Sequence, residues 1–82
     1  MTYYYNGIKV RTSNNYYAYG VYYGGRIIAF CGRYDLALKR FTQEYNYRQR
    51  QFKNYKTYNA EIAKELEERL KSLAIVELEV RA

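Results

Sequence analysis

Histidine, tryptophan and proline are absent from this 82-residue sequence, and cysteine and methionine occur once each. Without histidine there is no Ser–His–Asp or Cys–His catalysis, no imidazole metal ligand and no histidine pH switch. A single cysteine, Cys31, excludes an intrachain disulfide and any cysteine-cluster metal site. No apolar run approaches the roughly 18 residues of a membrane-spanning helix. The N-terminus carries no apolar signal-peptide segment, so a protein of the cytoplasm, with no membrane partner, is expected.

Tyrosine fills part of the gap, with 13 copies. They inflate the apparent hydrophobicity of 49%; without them the apolar fraction is about a third. A chain this short buries only about 60% of its unfolded surface, so some tyrosines must serve as core and others must face water. Charge is uneven as well. Residues 1–33 carry +4, residues 34–58 carry +4 and residues 59–82 carry −2, which accounts for the net charge of +6. A basic body with an acidic end favours polyanionic partners, although +6 is also an ordinary solubilising charge for a small domain.

Local patterns predict one domain of the α+β class over residues 1–82. Residues 1–31 read as an antiparallel β-meander. Asn6-Gly7 and Gly24-Gly25 are two-residue hairpin signals, because type I′ turns need positive φ at both central positions. Ser13-Asn14-Asn15 is a polar connector. The expected strands run over about 3–5, 8–12, 16–23 and 26–31. A three-residue loop at 13–15 sets Lys9 and Arg11 on one face with Tyr17, Tyr19, Val21, Tyr23, Arg26, Ile28 and Phe30. The other face holds Ile8, Val10, Tyr16, Ala18, Gly20, Tyr22, Ile27, Ala29 and Cys31, and its small central residues suit a close helix. A four-residue loop would move Lys9 and Arg11 to that second face.

Residues 34–73 read as helical. Tyr34, Leu38, Phe41, Tyr45, Arg48, Phe52 and Tyr55 recur at alternating steps of four and three, and the stripe continues through Asn59, Ile62, Leu66, Leu70 and Leu73. Two readings stay open. One is a single rod, which would need a partner chain and imply a coiled-coil homodimer. The other is two helices separated around residues 54–59, with Asn59 capping the second. Residues 74–80 alternate Val76, Leu78 and Val80 with Glu77 and Glu79, the pattern of a C-terminal edge strand.

Candidate chemistry is sparse. Cys31 has no histidine to activate it and reads as a small core thiol. The glutamates at 61, 65, 67 and 68 read as a solvated helix face with salt-pair spacing to lysine. Gly24-Gly25 follows no phosphate-loop pattern. An enzyme is not expected, and neither a metal nor a cofactor is implied. What remains is the aromatic and cationic sheet face, since rings stack on bases while Arg and Lys hold phosphates. The same tyrosines would also suit a small sheet that lacks tryptophan. The expected contact residues are Lys9, Arg11, Tyr17, Tyr19, Tyr23, Arg26 and Phe30, joined by Arg40, Arg50 and Lys53 if the helix presents them to the same side.

Five stretches between Asn6 and Phe41 (Asn6-Gly7, Arg11-Thr12-Ser13, Tyr17-Ala18-Tyr19, Gly25-Arg26-Ile27-Ile28-Ala29 and Asp35-Leu36-Ala37) resemble small uncharacterised proteins of phages and mobile elements in low-GC bacteria. The resemblance covers under half of the chain and implies a class: accessory binders, including anti-CRISPR inhibitors of host defence. The expected function is therefore non-enzymatic inhibition or modulation of a host nucleoprotein complex. Direct RNA or DNA binding and a structural coiled-coil dimer are the alternatives.

Overall fold

The computed structural model describes residues 1–81, and the side chains of all of these except residues 57 and 58. The order is β1 (Thr2–Tyr5), β2 (Ile8–Thr12), β3 (Tyr19–Tyr23), β4 (Arg26–Cys31), α1 (Tyr34–Tyr58), α2 (Ala60–Ser72), β5 (Ala74–Glu77) and β6 (Glu79–Arg81). The fold is α+β, with N-terminal strands, then helices, then C-terminal strands. Both hairpin turns form where the dipeptides predict them. Asn6 and Gly7 have φ of 51° and 76°, and Gly24 and Gly25 have 59° and 94°, so both central residues of each turn are left-handed.

The four N-terminal strands do not form one meander. β1 is central in a sheet ordered β2-β1-β6, and β3 is central in a second sheet ordered β4-β3-β5. β2 does not pair with β3, because the connector between them is held elsewhere. The Tyr3 hydroxyl donates to the Asn15 carbonyl at 2.5 Å and accepts from the Tyr17 N–H at 3.0 Å. The third expected strand consequently begins at Tyr19 rather than Tyr16. The C-terminal segment does lie at sheet edges, but it divides at Leu78 and gives one strand to each sheet. The Leu78 N–H donates to the Ala18 carbonyl at 3.0 Å at this crossing point.

Bulges reassign the faces. In β3–β4, Tyr23 pairs with Arg26 as expected, but a shift between Val21 and Tyr22 sets Val21 opposite Ala29 and Tyr19 opposite Cys31. Val21 and Tyr23 are buried with Leu73, against Ile28, Ala29, Phe41 and Leu70. The face expected to lie open is thus the one the helices cover. The reverse face, expected beneath a helix, meets other aromatic rings instead: Tyr22 meets Tyr5 of β1, and Phe30, moved to this face by the shift, meets Tyr17 of the connector, with ring centroids 5.6 and 5.7 Å apart. Gly20 permits this, since a Cβ there would stand 3.0 Å from Ile27 and 3.3 Å from Leu78.

The helical stripe is broken at Asn59, so the rod does not form. The Asn59 backbone is extended, and its side chain accepts from the N–H groups of Glu61 and Ile62 at 3.1 and 3.2 Å, an N-cap that satisfies two otherwise orphaned donors. α1 has 25 residues, about 37 Å at 1.5 Å per residue. It starts over β3, β4 and β5 and continues past the sheet, where α2 returns alongside it. The radius of gyration is 14.5 Å and the extents are 48 × 24 × 15 Å, against about 12 Å for a compact chain of this length. No helix among the described residues is long and apolar enough to cross a membrane.

Candidate functional site

β2 is an exposed edge strand of the first sheet, and a bulge decides where its cations point. Tyr3 pairs with Arg11 and Tyr4 with Lys9, with the shift between Tyr3 and Tyr4. Tyr3 and Tyr4 face opposite ways, so Arg11 and Lys9 do too. Both were expected on one face; the extra residue in β2 separates them.

Arg11 lies on the inner side, at the rim of the aromatic layer between the sheets. Its guanidinium carbon stands 5.2 Å from the Tyr17 ring centre and 4.8 Å from that of Phe30. Tyr17 in turn meets Tyr3 edge-on at 5.5 Å. Cation–π attraction of this kind is worth roughly 0.5–1 kcal/mol where exposed, and it also orders a long side chain. Arg11 remains exposed, and among the described residues it takes part in no ion pair. The Tyr17 phenol is held below the ordinary tyrosine range by the hydrogen bond from the Asn15 amide, aided by the Arg11 charge and by Ser13, against a smaller opposing effect of burial. Lys9, on the outer side, shares its face with Tyr4, over whose ring Arg81 lies at 4.4 Å. Arg81 is bonded to Glu79 at 3.1 Å.

The remaining expected contacts scatter. Tyr23 is only 8% exposed and has the Arg48 guanidinium 4.3 Å above its ring. A buried ring under an arginine of its own chain presents no free stacking face. Tyr19 is half-buried and meets Tyr34 edge-on at 5.5 Å. Arg26 is exposed beside the Gly24-Gly25 turn, on the helix side of its sheet. Arg40, Arg50 and Lys53 are exposed on α1, and Arg40 is bonded to Glu44 at 3.2 Å. Of the ten, the structure brings together Arg11, Tyr17 and Phe30 in one place, and Tyr23 with Arg26 in another.

Sequence reasoning passed over Arg48, Arg69 and the Tyr4–Arg81 pair. Arg48 did leave a signal, as the one cation on a seam otherwise made of aromatic and aliphatic residues and Asn59. Cys31 is half-buried, and loss of hydration pushes its thiol up, which opposes thiolate chemistry. Among the described residues no three His, Cys, Asp or Glu side chains come together as metal ligands would. Set against family models, curated proteins and solved structures, the chain matches none of them.

Proposed function

We propose that this chain is a non-enzymatic binding protein, a phage or mobile-element accessory factor that inhibits or modulates a host nucleoprotein complex in the bacterial cytoplasm, in the manner of anti-CRISPR proteins. The resemblance of parts of residues 6–41 supports the biological class. The observation that supports the mode is the exposed Arg11 held over Tyr17 and Phe30, with no ion pair among the described residues. A guanidinium already ordered on rings loses little entropy on contact, and it suits either a phosphate or a carboxylate. Lys9 lies on the same edge strand but on its opposite side, and adds positive charge to that edge.

The test is phage survival in a host carrying an active RNA-guided nuclease. Expression of the protein restores plaques, and the Lys9→Ala, Arg11→Ala pair abolishes that protection while leaving the circular dichroism spectrum intact. No protection by the wild type would overturn the anti-CRISPR reading, and protection unaffected by the pair would remove the surface from it. Direct RNA or DNA binding by the same surface is separated by salt. Phosphate contacts make affinity fall steeply as salt rises, and no salt-sensitive binding of naked strands rules that alternative out.

A homodimer through the helical region is favoured by a different observation. Leu38, Tyr45, Tyr55 and Ile62, all on the predicted seam, remain 47, 39, 41 and 38% exposed. The distal part of α1 carries Arg48, Arg50, Lys53 and Lys56, and α2 carries four glutamates beside three bases, so two hairpins can pack with some opposite charges facing. Sedimentation at micromolar concentration tests it: a strict monomer excludes this reading.

A further inference from the structure

Three arginines from three separate elements line one cavity at the end of the second sheet. They are Arg26 at the start of β4, Arg48 on α1 and Arg69 on α2, with Tyr23 and Gly24 completing a wall around about 290 Å³. Nothing in the sequence spacing joins them; the fold does.

Each arginine reaches the cavity from its own element, and the Arg48 guanidinium is held there by direct contacts. Arg48 lies over the buried Tyr23 ring, and its Nε donates to Glu44 at 3.4 Å. Arg26 is the ladder partner of Tyr23, which brings it to the same side of the sheet. The stem of Arg69 passes over Gly24, where a Cβ would stand 4.0 Å from its Cδ. Among the described residues neither Arg26 nor Arg69 takes part in an ion pair. Glu44, the one acid bonded to Arg48, is shared with Arg40. Three like charges around one space repel one another, and an oxyanion seated among them reverses that cost.

The chemistry selects the anion. Forked planar donors arriving from several directions match the tetrahedral oxygens of phosphate. The space is at the small end of ligand cavities, enough for a phosphate and the group esterified to it. The backbone is not the binding element, because the Gly24 N–H is already donated to the Ser72 hydroxyl at 3.0 Å. The neighbouring hollow, which shares Gly24 and Arg69 with this cavity, is also lined by Glu65 and Glu68, which repel negative charge there. We infer that the Arg26–Arg48–Arg69 cavity is a phosphate-binding site, separate from the Arg11 surface and not dependent on its role.

The test is a titration of the isotope-labelled full chain with inorganic phosphate at ionic strength held constant with chloride, read on the arginine Nε–H and Gly24 and Gly25 amide resonances. Saturable shifts confined to this cavity are expected, and Arg26→Gln or Arg69→Gln should each weaken binding about tenfold. Arg50→Gln removes the same charge outside the cavity and should leave affinity unchanged. Shifts that never saturate, or equal losses in Arg50→Gln and Arg69→Gln, would overturn the site in favour of a diffuse ionic atmosphere. Competition identifies the source. A short oligonucleotide with 5′-hydroxyl ends that displaces phosphate assigns the site to backbone phosphodiesters; displacement only by its 5′-phosphorylated form assigns it to phosphate monoesters.

Discussion

Tyrosine does the work here that leucine and tryptophan do in larger cores, and its hydroxyl sets what each copy can do. Tyr3 is wholly buried, yet its hydroxyl both donates to and accepts from the connector that precedes β3. Tyr17 packs on Tyr3 and Phe30 but keeps its hydroxyl at the surface beside Asn15 and Arg11. Its lowered pKa has a definite consequence. The folded state favours the phenolate, so any stabilisation is present above the unfolded value near 10 and is lost as pH falls through the lower folded pKa. A tyrosinate absorbance titration should therefore show an early transition that disappears in Tyr17→Phe and moves to higher pH in Arg11→Ala. An unchanged curve in Arg11→Ala would show that the guanidinium does not act on Tyr17 in solution.

Elements end here for local reasons that can be altered singly. The two turns rest on residues that tolerate left-handed backbone, and the helical stripe ends at a side-chain cap. Asn59→Ala removes the acceptor for the Glu61 and Ile62 N–H groups, and should cost about 1 kcal/mol, measured by urea unfolding. The loss reports directly on the break, because in a continuous helix alanine at this position would stabilise rather than destabilise. The bulges are the opposite case. Each inserts one residue into a ladder whose alternation looks regular, and each changes which side chains share a face: Lys9 and Arg11 part company, and Phe30 turns away from Tyr19. In both strands the residues around the bulge are acceptable on either side of the sheet, so alternation alone cannot position it.

At the scale of the molecule, two small sheets are stitched together by the last strands, and neither hairpin has the three strands it needs until the C-terminus arrives. Ending the chain after Leu78 removes β6 and leaves β1–β2 as a lone hairpin, while β5 still completes the second sheet. Hydrogen exchange should then become fast at Tyr3 and Tyr4 but stay slow at Val21; equal protection of both would show that the sheets do not depend on β6 in this way. The α+β class, the two turns, the cap at Asn59 and the terminal edge strand are all legible in the amino-acid order, because each depends on neighbours within a few residues or on one repeating period. Which face the helices cover, which cations meet which rings, and the convergence of Arg26, Arg48 and Arg69 depend on contacts between residues far apart in the chain. A strand with tyrosines on both sides carries no local preference for either, so burial of Val21 and Tyr23 under α1 and α2 made the choice, and with it the position of every charged group around the sheet.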